Sequence, residues 1–552
     1  MRVLPLWCSF LLAAGVAPLP VFEDISKTAG ITFRHSKSGT SRKYLIESVT
    51  GGVAMLDYDG DGWLDLYFVN GAELKDPMKA GQVPDKSDPR FWNRLYHNRR
   101  DGTFEDVSER AGVRGYGYGM GVAVGDFDND GRPDMYVTNF GRNILYHNKG
   151  DGTFEDVTDR AGVAGGGWST SAAWVDFDGD GWLDLIVVRY VQWDFEPDIW
   201  CGSRSEGYRS YCHPDQFRPN THLVYRNLGN GTFEDVTRKA GWTESPGKGL
   251  GIAFHDFDRD GRIDVLIAND SYPQQLFRNL GNGRFREMAP EAGIAYDDDA
   301  RTYGGMGVDF ADYDNDGWPD VFINALATQR YALYRNEKGM FDYASPKTGV
   351  ATITKMRSGW GAKFFDYDND GWKDLLVAQG HVMDNIQLTQ PALRYFEPML
   401  LMRNVQGKFV DVSAQSGLPF QVAQAARGAA FGDLNNDGWV DVAVNVNDGP
   451  ALVLRNCGGN GNHWLIVDTT GTSSNRDGMG VRIHAVPEWG PEQYGIVSSA
   501  GSYLSANDKR VHFGLGTATR IKLLEIVWPS GIVQHLENIQ ADRILSVREP
   551  AR

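Results

Sequence analysis

Four cysteines in 552 residues are too few for a disulfide framework, so a chain of this length must hold together by burying apolar surface. No run reaches the ~20 apolar residues that a membrane-spanning helix needs. Basic residues number 55 against 72 acidic ones, for a net charge of −17, and they do not cluster. That excludes a surface built to track nucleic-acid phosphates. The sequence contains no Gly-x-Ser-x-Gly elbow, no His-Glu-x-x-His pair and no phosphate-cradling glycine loop. No catalytic residue and no organic cofactor are therefore assigned. Sustained helical periodicity is missing as well, which removes helical bundles and helical solenoids.

What the chain has is glycine, 66 residues of it, and 41% apolar residues. That combination implies many turns around a packed core. Arg2, the apolar stretch Val3 to Ala14 and the small residues Ala13, Ala14, Gly15 and Ala17 read as a secretory signal over residues 1–17. Bulky Trp7 before Cys8 argues against a lipid-anchored cysteine. The expected location is secreted or extracytoplasmic: the periplasm or cell surface if the source is Gram-negative. In such an oxidising compartment Cys201 and Cys212 are expected to pair, leaving Cys457 as the odd thiol.

One nine-residue pattern recurs seven times. Asp57, Asp59, Asp61 and Asp65 occupy its positions 1, 3, 5 and 9. The same places are held by Asp126, Asp128, Asp130 and Asp134, then by Asp176, Asp178, Asp180 and Asp184. Asp256, Asp258, Asp260 and Asp264 follow, with Asp312, Asp314, Asp316 and Asp320 after them. Asp366, Asp368, Asp370 and Asp374 form the sixth, and Asp433, Asn435, Asp437 and Asp441 the seventh. Calcium takes six to eight oxygens at about 2.3–2.6 Å. Four side chains at this spacing, with glycine at position 6 for the turn, can converge on one ion. The position-7 backbone carbonyl completes the set: Trp63, Arg132, Trp182, Arg262, Trp318, Trp372 and Trp439.

An EF-hand opens in the same way but needs Glu at position 12 between helices. Position 12 here is Phe68, Val137, Val187, Ile267, Ile323, Val377 and Val444, all apolar and strand-like. Without a cation, a plain solvated turn would crowd four like charges at each full loop. Seven divalent cations would offset most of the net charge. Asn435 makes the seventh loop the expected weakest site, and magnesium is disfavoured because it prefers to keep its waters. The five tryptophans at position 7 are expected to pack between repeats.

A second motif alternates with the first, as in Leu145-Tyr-His-Asn-Lys-Gly-Asp-Gly-Thr-Phe154, a hairpin signal. Together the two motifs give a unit of four strands, with the acidic loop between strands one and two. The seventh unit ends at Leu452–Asn456 and lacks its fourth strand, while a matching Val21-Phe-Glu-Asp-Ile25 stands alone near the N-terminus. A split repeat of this kind closes a ring and removes its edges. The expectation is an all-β, seven-bladed β-propeller over residues 21–457, followed by a small β-domain over 462–549.

The loops and hairpins of residues 21–457 resemble the FG-GAP/VCBS repeats of integrin α-subunit propellers, which implies that fold and calcium in the loops. Asn462-His-Trp-Leu465, Gly501-Ser-Tyr-Leu-Ser505, His512-Phe-Gly-Leu-Gly516 and Val527-Trp-Pro-Ser-Gly531 are similar to the ASPIC/UnbV domain. The combination resembles the cartilage acidic protein family, in its bacterial secreted form. The resemblance implies an extracellular calcium-binding module and no established reaction.

Two insertions widen the repeats. Residues 189–222 carry Trp193, Trp200, Tyr208 and Tyr211, and residues 379–400 carry His381, Tyr395 and Phe396. Long loops on a rigid scaffold often bind something, or they simply cap it. Two functions follow. The first is a non-catalytic binding, adhesion or scaffold module whose partner is an extracellular protein or glycan. The alternative is a secreted enzyme acting on an extracellular glycan or other polymer through the central funnel.

Overall fold

A computed structural model describes residues 18–196 and 199–551. The expected signal segment lies outside the described residues. The chain is all-β, with helices no longer than five residues.

Seven antiparallel sheets carry the seven acidic loops. In the third, strands Ser169–Val175, Asp184–Arg189, Leu223–Asn227 and Phe233–Asp235 pair in sequence order. The second strand of every sheet opens on the position-9 aspartate, which faces the residue just before position 1: Leu56↔Asp65, Gly125↔Asp134, Val175↔Asp184, His255↔Asp264, Ala311↔Asp320, Phe365↔Asp374 and Gly432↔Asp441. One register therefore fixes the loop geometry seven times. In the seventh sheet the outer strand is Phe22–Asp24, which pairs with Leu452–Asn456 through Phe22↔Asn456. The split repeat is thus rejoined by the two ends of the repeat region.

The first strands lie side by side in chain order, and the first meets the seventh. Their close approach depends on residues five places before each loop: Gly52, Gly121, Ser171, Gly251, Gly307, Gly361 and Gly428. A Cβ on Gly307 would sit 2.0 Å from the Trp360 carbonyl, and one on Gly361 would sit 2.6 Å from the Ala429 nitrogen.

The C-terminal strands form two further sheets. One orders Val511–Gly516, His463–Thr470 and Arg543–Arg548; the other orders Gln493–Ile496, Arg482–Pro487, Arg520–Val527 and Val533–Gln540. Leu465, Ile483, Phe513, Leu524 and Trp528 are buried among them. From this region the segment Ser499–Asp508 threads among the first strands. Ser499 Oγ donates to the Val124 carbonyl, Gly501 N–H to Ile252 and Ser502 N–H to Val308 at 2.8 Å. Val122 donates to the Leu504 carbonyl, and Met55 to that of Ala506. Ser171 Oγ accepts from Leu504 N–H, and Asp508 N–H donates to Phe431. The Tyr503 ring meets Trp360 of the sixth sheet, with centroids 5.1 Å apart, and its hydroxyl donates to the Val49 carbonyl. All seven first strands are engaged, so the axis is filled by the chain's own backbone.

The insertions cap the end opposite the acidic loops. Trp193, Phe195 and Tyr211 pack with Tyr44, Trp168 and Tyr190 in one cluster that also holds Tyr503. Asn385 of the second insertion donates to the Gly207 and Arg209 carbonyls of the first. Cys201 and Cys212 form the expected disulfide. Cys457 is half-buried.

The axial packing predicts the cost of one added side chain. A Cβ on Gly121 would stand 2.8 Å from both the Leu504 and Thr170 carbonyls. Gly121→Val should lower stability by about 1–3 kcal/mol, measured as a drop in the urea midpoint. An unchanged midpoint would contradict the threaded segment.

Candidate metal centres

Each acidic loop is held open by its own backbone. In the first, the Asp57 carboxylate accepts from the N–H groups of Asp61 and Gly62, and Asp61 accepts from that of Trp63. Asp65 accepts from Tyr58 N–H through one oxygen and from Asn98 N–H through the other. The seventh loop repeats this with Asp433, Asp437 and Asp441. These donors orient the carboxylates inward. Oxygens of Asp57, Asp59 and Asp61 lie within 4.8 Å of one another, as do those of Asp126, Asp128 and Asp130 and those of Asp176, Asp178 and Asp180. In the first two loops position 9 forms a second group with position 3 and a histidine: Asp59, Asp65 and His97, and Asp128, Asp134 and His147.

The backbone donors do not satisfy every oxygen. Buried Oδ1 atoms of Asp128, Asp314 and Asp368 at position 3, and of Asp256 at position 1, have no hydrogen-bond donor. The same is true of Asn435 Oδ1, whose amide nitrogen donates to Asp437. An acceptor buried in this way costs about 1–3 kcal/mol unless something fills its lone pairs. A hard cation among carboxylate and amide oxygens would do so. Asn435, expected to weaken the seventh loop, brings a neutral oxygen to the place where the other loops bring a charged one.

Burial and neighbouring carboxylates act together on these groups. Desolvation, reinforced by adjacent aspartates, pushes Asp65 up to about 9, Asp126 and Asp264 to about 8, and Asp176, Asp312 and Asp433 to about 7 when no cation shares the loop.

The loops are less crowded with like charge than the sequence suggests, because the residue just before the asparagine of the third strand partly neutralises them. Arg226 pairs with Asp178 and Asp180, Arg278 with Asp258 and Asp260, Arg335 with Asp314 and Asp316, and Arg403 with Asp368 and Asp370. The first two repeats have histidine there. His97 Nδ1 lies 3.3 Å from Asp59 and His147 Nδ1 3.3 Å from Asp134. Arg100 and Arg132 reach Asp61 and Asp130 instead.

The position-7 tryptophans do not all pack alike: the Trp318 ring meets Arg259 of the preceding loop at 4.4 Å, as expected between repeats, whereas two others turn to their own sheet. Trp182 and Trp439 lie over the hairpin glycines Gly229 and Gly458 of their own sheets, where a Cβ would collide with the ring. Arg132 and Arg262 fold back to pair with Asp130 and Asp260.

The asparagine at the end of each third strand follows a histidine or arginine in all seven repeats, a recurrence the hairpin signal alone does not explain. Its N–H binds the position-9 carboxylate of its own loop. Its side-chain NH₂ donates, at 2.7–2.9 Å, to the position-2 carbonyl of the preceding loop: Asn148 to Tyr58, Asn227 to Phe127, Asn279 to Phe177, Asn336 to Phe257, Asn404 to Tyr313 and Asn456 to Tyr367. Asn98 of the first donates to Leu434 of the seventh. The loops are stitched head to tail in a cycle.

The C-terminal region docks on the loops. Asp126 N–H donates to Asp477, and Arg476 N–H to Asn129. Arg482 pairs with Asp256, and Arg510 binds Asn436 and the Asp433 carbonyl.

Comparison with known proteins finds matches in both parts of the chain. The FG-GAP-like repeat model matches residues 57–137, 126–187, 213–267 and 256–323, and the ASPIC and UnbV model matches residues 471–552. Cartilage acidic protein 1 of Xenopus tropicalis is 28% identical over 342 residues, and that of Homo sapiens 25% over 344 residues; each alignment covers 60% of this chain. The chain spans about half the length of the curated relatives it matches, 48% and 47% respectively. The solved structure of YCF48 bound to D1 peptide overlays with a TM-score of 0.40 at 9% identity, covering 80% of this chain and 99% of that one.

The raised carboxyls give a sign for pH dependence. Their folded-state values lie above the unfolded value near 4, so their contribution is present below about pH 4 and lost as pH rises through about 7 to 9. In chelator, the melting temperature should therefore fall between pH 5 and 9. Saturating calcium should remove that fall. Identical slopes with and without calcium would contradict cation binding in the loops.

Proposed function

From a chain of FG-GAP-like repeats and a C-terminal ASPIC and UnbV domain, related to cartilage acidic protein, we propose a secreted, calcium-binding, seven-bladed β-propeller that acts as a non-catalytic binding or scaffold module. The observation that carries this reading is the set of inward-facing, donorless oxygens in loops of one geometry. The asparagine cycle and the N-terminal strand in the seventh sheet support the blade count. The Cys201–Cys212 disulfide suits an oxidising compartment.

The enzyme alternative needed an open axial funnel. Ser499–Asp508 fills that axis with hydrogen-bonded backbone, which favours the binding module. Calcium here stiffens the scaffold, and partner contact falls to the cap. Trp193 and Tyr211 are spent on its interior. Trp200, 40% exposed with Arg209 stacked on it at 4.6 Å, and Phe396, 56% exposed, remain available to a protein or glycan. Exposed aromatic and arginine groups are the usual anchors of such contacts.

Glycan-array and pull-down capture by the calcium-loaded chain should be lost in the double variant Trp200→Ala/Phe396→Ala, while the melting temperature stays within about 2 °C because neither ring is buried. Capture that survives the double substitution would sink the cap as the contact surface.

A further inference from the structure

The seven repeats provide an internal standard against which unusual residues stand out. The residue three before the loop is Ala54, Ala123, Ala173, Ala253 and Ala430 in five repeats, but Asp309 and Lys363 in the fifth and sixth. The residue just before the loop is Leu56, Gly125, Val175, Ala311, Phe365 and Gly432, but His255 in the fourth. Position 8 is Leu64, Pro133, Leu183, Ile263, Pro319 and Val440, but Lys373 in the sixth. These four departures, all from apolar to ionisable, line one cavity of about 390 Å³ between the fourth to seventh sheets and the C-terminal domain. The C-terminal side of the same cavity adds His512 and Arg482.

The repeat has no structural need for these groups, since the other sheets close without them. Asp309 and Lys363 neutralise each other at 3.2 Å. Lys373 is different. Its ammonium donates to the His512 carbonyl at 3.1 Å and, among the described residues, has no carboxylate within 4 Å. Six cationic side chains line the cavity. Four of its seven carboxylates, Asp256, Asp312, Asp366 and Asp433, are position-1 residues of the loops. Of the six cations, Lys363 pairs with Asp309, Arg482 with Asp256, Lys509 with Asp468 and Arg510 with Asp508, which leaves Arg259 and Lys373 without a carboxylate within 4 Å among the described residues. The remaining wall is largely aromatic and aliphatic, including Phe310, Phe364 and Ile483. A cavity of this size, mostly apolar with a few convergent polar groups, has the character of a small-molecule site.

We infer that this interdomain cavity binds a small organic anion with an apolar body, its carboxylate held by Lys373. Neither the repeat departures nor the want of a carboxylate beside Lys373, among the described residues, depends on cations in the loops. Because both domains build the walls, the ligand would also tie the C-terminal domain to the repeats.

Isothermal titration of the calcium-saturated full chain with 1-naphthoate tests the site. Naphthoate should bind, and uncharged 1-naphthamide should bind at least about tenfold more weakly, as expected for loss of a charged hydrogen bond. Lys373→Met should weaken naphthoate by a similar factor. Ala311→Phe, which changes no charge, should weaken it by filling space. Undetectable naphthoate binding to the folded, calcium-saturated chain would overturn the inference. So would equal affinity for the amide, or unaltered binding in both variants. Failure of the calcium reading registers separately, as absence of bound calcium in the same sample.

Discussion

Seven times over, this fold brings carboxylates together at the end of a buried strand, and the rest of the architecture answers to that crowding. Main-chain N–H groups turn the carboxylates of positions 1, 5 and 9 inward, and an arginine or histidine of the third strand faces the loop from the side. The oxygens left without donors point to a cation as the remaining partner. Position 9 is pinned both by the strand register and by the asparagine N–H, so loop shape and sheet pairing are one constraint. Since each asparagine also reaches back to the preceding loop, a disturbance in one loop is felt by its neighbour around the cycle.

The C-terminal domain exploits that rigidity. It lies against the loop face and sends Ser499–Asp508 along the axis, where the small residues before each loop leave room for a backbone and little else. Tyr503 reaches the cap formed by the insertions, so three parts of the chain far apart in sequence share one cluster. The domain is thereby an internal part of the repeat assembly rather than an appendage.

Much of this was legible in the sequence because it is local or periodic. The acidic loops declare themselves within nine residues, and apolar position 12 separates them from EF-hands. The lone Phe22–Asp24 strand was legible because a repeat missing its last strand has only one place to find it. Less visible were interactions whose partner lies in another repeat. Asn148 bonds Tyr58 across 90 positions, and nothing in the hairpin motif names that carbonyl. The glycine five places before six of the seven loops was a signal in plain view, but it reads as generic turn propensity until the axis is seen to be filled. Whether the insertion aromatics Trp193 and Tyr211 bind a partner or cap the ring stayed open, because exposure cannot be read from an irregular segment. Arg226, Arg278, Arg335 and Arg403 were missed because their charge is balanced by loops some 20 to 50 residues away.

The central claim is that all seven loops take calcium as a structural set. Equilibrium dialysis of the chelated, re-dialysed chain against labelled calcium counts the ions directly. Seven per chain, with Asp→Asn substitution at a single position 1 removing one, is the result this account predicts. A chain that stays folded and holds no calcium, or a lone ion, would contradict it.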